Sequence, residues 1–326
     1  MLGLFPEQHQ NGLEFTSHLA RMVRVRERGT SCEFVFTEQA PDLSKLLART
    51  PRRFRNGFIV LALPSEKIFL RRMHLEESGL GGLDRAVLME ASRHLPFPIE
   101  QLSMDWKVYR EENGTRDLQF SAVPNEVLVP YLDLKRQYHV DIAVMEPEAM
   151  ALVRAVIPES DLQNGHYLLC DLREDRLLML LLRSGGIETS FVHADLGWDA
   201  IIARISQKTS QDREEIKKML PASGWDGSRG KVVAALKEES ERIIQVLSEA
   251  ITFDTEHDED HLEIRLSGYF VTIPGSTDVV QHRLSRPCTL ATSAHHFPKL
   301  SKSVKRVERE PWWDIALGEA LYRFAL

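Results

Sequence analysis

The sequence predicts an α/β protein made of two similar lobes that face each other across a cleft. Three observations predict it. A chain of 326 residues exceeds what one small core organises, so a division into two lobes is natural. One pattern occurs twice: a strand ending in an acid, a tight turn, a long strand, a turn, a third strand and a helix. The two copies lie 157 positions apart, from Glu14 to Asp171, far too long a period for a solenoid.

The first copy runs through Leu13–Thr16, Leu19–Arg26 and Cys32–Phe36, where apolar and polar residues alternate between turn residues. A helix is expected over about 42–48, ended by Pro51 and an Arg-rich stretch. The segment GFIVLALPSEKIFLRRMHL reads as two strands broken at Leu63-Pro64, and residues 83–95 have helical apolar spacing. MDWKVYREENGTRDLQFSAV reads as a hairpin turning at Asn113-Gly114. These pieces predict an α+β insertion over about 57–124 within a first lobe of residues 1–165. NEVLVPYLDLKRQ and EPEAMALVRAVI are read as helices that return to that lobe.

The second copy is HYLLCDL, RLLMLLL and IETSFVH, followed by a helix near Trp198–Ser206. The second lobe is expected over 166–310, with a helical insertion over about 207–258 that contains the long amphipathic stretch KVVAALKEESERIIQVLSEAITF. LEIRLSGYFVTIPG reads as a strand and a turn, and residues 311–326 as a closing helix that returns to the first lobe.

Composition excludes several functions. A net charge of −7 argues against general nucleic-acid binding, which needs a broad positive surface. The longest apolar run, Leu177–Leu182, is far too short to span a membrane, and MLGLFP lacks the basic start of a signal peptide. Cys32, Cys170 and Cys288 form no CxxC pair, which suits a reducing cytoplasm. There is no GxSxG elbow, and the Gly-rich stretch 78–82 lacks the Lys-Ser/Thr of a phosphate loop. The run EHDEDH at 256–261 and His295-His296 read as solvated loops rather than metal sites. Arg49, Arg52, Arg53 and Arg55 around Phe54 form a basic knot, read as a solvated patch.

Glu14 and Asp171 are the sharpest features. Acids cap turns in most proteins, so either residue alone would mean little. Equivalent places in a duplicated frame are a different matter, because facing strand-end carboxylates can hold a Mg²⁺–phosphate.

The chain resembles the PilM proteins of type IV pilus assembly, which have a two-lobed actin-like (duplicated RNase H-like) fold. The resemblance rests on LALP at 61–64, MEASRHLPFP at 89–98 and MDWKV at 104–108, followed by SAVPNEVLVPYLDL, VDIAVMEPEAMALVRAV, EEIKKML and IRLSGYFVTIPG. It implies a nucleotide site with altered turns. Glu14, Thr16, Ser17 and Arg21 stand where the family has Asp-x-Gly-Ser and a following Lys. Asp171-Leu172-Arg173 replaces Asp-x-Gly, and Gly268-Tyr269-Phe270 replaces a glycine run, so that two aromatic rings stand where a base and ribose need room. Glu214 and Lys217 match a Glu-x-x-Lys that faces the nucleoside. Three lost glycine sites argue against ordinary Mg-ATP binding and more strongly against hydrolysis, although Arg173 could still meet a phosphate. No cofactor, metal or catalytic residue is expected.

By the same resemblance the protein is expected to be a cytoplasmic scaffold of a pilus platform. It would bind the cytosolic N-terminal segment of a PilN-like single-span inner-membrane protein and relay contact to a cytoplasmic assembly ATPase. The expected peptide groove lies near Leu95, Pro96, Phe97 and Pro98. Alternatives are a kinase or ATPase on the same fold, and the cytoplasmic part of a type II secretion platform.

Overall fold

The computed structural model describes residues 9–16, 19–28, 31–52, 58–76, 82–112, 114–224, 230–253, 261–293 and 313–322. Ser17, Arg53, Phe54, Arg55, Trp312 and His295-His296 lie outside them, as do most of 78–82 and of 256–261.

The first lobe is built on strands β1 (His9–Phe15), β2 (Ala20–Arg28), β3 (Ser31–Ala40), β4 (Ile59–Leu63) and β8 (Ile142–Pro147). They lie in the order β3-β2-β1-β4-β8. The first three strands pair antiparallel, while β4 and β8 join in parallel. The second lobe repeats this with β9 (His166–Leu172), β10 (Leu177–Arg183), β11 (Gly186–His193), β12 (Glu263–Gly268) and β13 (Cys288–Leu290), in the order β11-β10-β9-β12-β13. The same order and the same strand directions in both lobes are the duplication read from the sequence.

Between β4 and β8 sits the insertion: β5 (Phe69–Glu76), helix α2 (Gly82–Ser92), β6 (Leu102–Glu112) and β7 (Thr115–Pro124), with its own sheet β5-β7-β6. Its core gathers Met73, Val87, Ala91, Leu118 and Phe120. One boundary differs from expectation. β4 pairs with β1 and β8, so it belongs to the main sheet, and the insertion begins after Pro64 rather than at 57.

Helix α1 (Leu43–Arg49) starts at Asp42, whose side chain accepts from Lys45 N–H. Helix α3 (Asn125–Tyr138) and helix α4 (Glu148–Val156) flank β8. α4 has apolar residues at seven of its nine positions and is buried on almost every side. It sits between the lobes, where Ala151, Leu152 and Ala155 pack with Leu169, Leu178 and Leu180 of the second sheet. A single apolar core therefore joins the lobes.

The second lobe adds α5 (Glu159–Asn164), α6 (Trp198–Thr209), α7 (Arg213–Ser223) and the long α8 (Lys231–Phe253). Two elements had no clear sequence signal: α9 (Ser276–Leu284), whose apolar spacing is weak, and the three-residue β13. The last helix, α10 (Asp314–Ala320), packs on the first lobe. Trp313, Ala316, Leu317 and Ala320 bury the outer face of Val23 and Val25.

Candidate functional site

Strand alternation builds the site from two equivalent positions. Glu14 is the penultimate residue of β1 and Asp171 the penultimate residue of β9. Leu13 points into the first-lobe core, which sends Gly12 and Glu14 to the opposite face. Leu168, Cys170 and Leu172 point into the second-lobe core and send Asp171 the other way. Arg21 is the register partner of Glu14 across the β1–β2 pair. The sequence-equivalent acids therefore both face the junction of the lobes.

Side chains fill this junction. The turn between β9 and β10 carries Arg173, Glu174 and Arg176 into contact with the first lobe. Arg173 Nη2 donates to Glu14 Oε1, and its Nε lies 3.7 Å from Asp171 Oδ2. Arg21 Nη2 donates to Glu174 Oε1, while Arg21 Nη1 lies 3.7 Å from Glu14 Oε2. Arg176 Nη2 donates to Glu148 Oε2, and the other oxygen of Glu148 accepts from Ser65 N–H at 2.9 Å. Glu14, Arg21, Asp171 and Arg173 are at most 4% exposed, so none of them meets bulk water.

The turn is held by the start of α6. Trp198 N–H donates to Arg173 O at 2.8 Å, and Asp199 N–H donates to Glu174 O at 2.9 Å. Free N–H groups at a helix start are natural partners for a phosphate, but these two are already used by the turn.

The charge balance also disfavours an anion. Five carboxyl groups, on Glu14, Glu148, Asp171, Glu174 and Asp314, face three guanidiniums, on Arg21, Arg173 and Arg176. Burial alone would raise the Glu174 carboxyl, yet Arg21 and Arg173 hold it below its usual range. Burial pushes Asp171 and Glu148 up, against the pull of Arg173 and Arg176 respectively. Burial would lower the Arg173 guanidinium, but Glu14 and Asp171 raise it well above its usual range, so it stays charged.

Asp314 sits at the N-terminus of α10, where the Ser267 hydroxyl donates to its Oδ2 at 3.4 Å. Burial, with nearby Asp171, pushes its carboxyl up to about 8. An acid raised on folding stabilises the protein fully below its unfolded value near 4, and this contribution is lost as pH rises through about 8. Asp314→Asn, which mimics the protonated acid, is expected to match the parent at and below about pH 4, where the acid is protonated both folded and unfolded, and to be the more stable protein above pH 8. The difference should grow by up to about 1.4 kcal/mol per pH unit in between. Urea unfolding across pH measures it, and parallel pH profiles would contradict it.

The sequence-predicted residues divide into two groups. Glu14, Arg21, Asp171 and Arg173 come together in one cluster. Thr16 lies beside it at the end of β1 and donates its N–H to Leu19 O at 2.7 Å. Gly268 ends β12 with φ +65°, and a Cβ there would fall 2.2 Å from Leu172 O, so it cannot be replaced freely. Tyr269 does enter the junction, stacked on Trp198 with ring centroids 5.0 Å apart and its hydroxyl 3.4 Å from Glu174. Phe270 does not: it turns into the second-lobe core, so one aromatic ring rather than two stands at the site. Glu214 and Lys217 lie outside the cluster, on α7, where Lys217 Nζ is 2.9 Å from Asp199 and 3.6 Å from Glu214. Arg173, which by the sequence could still meet a phosphate, donates to Glu14. Glu148, Glu174, Arg176 and Asp314 were not foreseen, and no local motif marks them.

No family model and no curated protein matches the chain. Solved structures do match along nearly its whole length. One is a PilM-PilN type IV pilus biogenesis complex, with TM-score 0.75 and 18% identity, covering 97% of this chain and 99% of that one. Another is the ethanolamine utilization protein EutJ from Carboxydothermus hydrogenoformans, with TM-score 0.54 and 12% identity over 98% of this chain and 92% of that one. A third is MreB5 of Spiroplasma citri bound to ADP, with TM-score 0.52 and 9% identity over 98% and 97%. The fold is actin-like. In this actin-like chain the two carboxylates at the strand ends are engaged by arginines of the protein itself.

Proposed function

We propose that the protein is a non-catalytic scaffold of a type IV pilus or related secretion assembly platform. It binds the cytosolic N-terminal segment of a PilN-like single-span membrane protein, has no nucleotide cofactor, and passes contact on to a cytoplasmic assembly ATPase. The reading is carried by the likeness, over 97% of the chain, to a PilM-PilN complex. The occupied cleft supports its non-catalytic part. Placement at the inner-membrane face comes through the partner. No helix among the described residues is long and apolar enough to cross a membrane.

The insertion offers a surface for a short apolar segment. Leu95 packs into the insertion core and anchors the turn, while Phe97 between Pro96 and Pro98 stays 46% exposed. Asn125 ties this turn to α3, accepting from the Ser103 hydroxyl at 2.8 Å and donating to Glu100 O at 3.4 Å. Val129 and Leu132 follow Asn125 at helical spacing on the same stripe of α3, and both are about half exposed. Exposed apolar side chains on the turn and on α3 suit contact with a short apolar peptide.

Calorimetry tests both parts. Titration with Mg-ATP is expected to give no binding heat, and micromolar affinity would overturn the non-catalytic reading. A peptide with the sequence of a PilN-like protein's cytosolic N-terminal segment is expected to bind, and Phe97→Asp to weaken it by about ten-fold or more. No binding of the peptide to the unaltered protein would overturn the partner.

A further inference from the structure

We propose that the two lobes are latched shut by the protein's own side chains, so that closure, which a ligand in the cleft would otherwise stabilise, is permanent. The inference is independent of the pilus reading, since it concerns only how the lobes are held.

The first latch is the charge cluster. Each lobe supplies both signs, and the signs alternate across the junction. Glu14, Arg21 and Glu148 of the first lobe meet Arg173, Glu174 and Arg176 of the second. All three second-lobe residues lie on one turn, and that turn is bonded to the start of α6. The turn therefore cannot withdraw without carrying its lobe with it.

The second latch is on different elements. The Gln119 side-chain amide on β7 pairs with the backbone of β11 in both directions. Its Nε2 donates to Ile187 O at 3.1 Å, and its Oε1 accepts from Ile187 N–H at 2.8 Å. One side chain thus imitates the hydrogen bonding of a neighbouring strand. Arg72 on β5 reinforces it, donating to Arg183 O at 3.0 Å and to Glu188 at 2.5 Å, with Asp117 of its own sheet at 2.8 Å. The insertion emerges from the first lobe yet is fastened to the second. Between these latches runs the shared core of α4 against β9 and β10. Opening would break charge pairs, strand-like hydrogen bonds and apolar packing together.

Hydrogen exchange read by mass spectrometry, with small-angle scattering, tests the latches on the full chain. Glu14→Gln and Gln119→Ala leave every arginine in place. Each is expected to raise exchange about ten-fold at its own contact, β1 with the β9–β10 turn for Glu14→Gln and the start of β11 for Gln119→Ala. The double variant is expected to add both effects and to increase the radius of gyration, while β12 in the second-lobe core keeps its protection. The unaltered protein is expected to give the same scattering curve with and without Mg-ATP. Two results would overturn the proposal: a double variant indistinguishable from the parent, or an unaltered protein that shows two exchanging populations at β1 and the β9–β10 turn.

Discussion

Arg173→Met is expected to cost about 3–5 kcal/mol in urea unfolding, because it leaves Glu14 and Asp171 buried with their main counter-ion removed. The side chain lost is of similar bulk to the one introduced, so the cost reports charge rather than a cavity. The companion triple variant Glu14→Leu, Asp171→Leu, Arg173→Met removes the stranded acids as well. It is expected to recover most of the loss, because an apolar replacement of a whole buried cluster is often neutral or better. If Arg173→Met cost less than about 1 kcal/mol, or the triple variant were worse than the single one, the cluster would not be held by paired charges.

Gly318→Ala is the second large effect, and its sign is diagnostic. Gly318 lies inside α10, where helix propensity alone predicts that alanine gains about 1 kcal/mol. Its backbone, however, is pressed against α4, and a Cβ would fall 1.8 Å from Ala151 O. The same closeness appears on the other side of α10, where a Cβ on Gly12 would fall 1.9 Å from Ala316 O. Neither neighbour is a movable side chain end, so the helix itself must shift. A loss of about 3 kcal/mol or more is expected for Gly318→Ala. A gain in stability would show that α10 does not pack as described.

The repeated strand pattern makes the lobes legible, and it gives Glu14 and Asp171 equivalent places, each penultimate in its strand. Arg21 and Arg173 were legible as substitutions but not as partners of those acids, since pairing them requires the second lobe to be laid against the first. Glu148 and Asp314 could not be read at all. They reach the junction because α4 and α10 are packed there, and a first-turn acid on a helix is otherwise unremarked. β4 reads as part of the insertion because a run of five apolar residues looks the same in any sheet; only its parallel partners decide where it belongs. Adjacency reads Phe270 as standing beside Tyr269 at the site, whereas Phe270 is fully buried in the second-lobe core and Tyr269 packs at the edge of that core with its hydroxyl reaching Glu174.

The position of α10 also bears on how the chain is made. Gln10 donates to Glu319 O across 309 residues, and Val23 and Val25 are covered by Trp313 and Leu317. At about 5–20 residues per second, a ribosome needs on the order of 15–60 s to travel from the first of these contacts to the last. Through that interval one face of the first sheet waits uncovered, and a nascent chain in this state is a natural client for a holding chaperone.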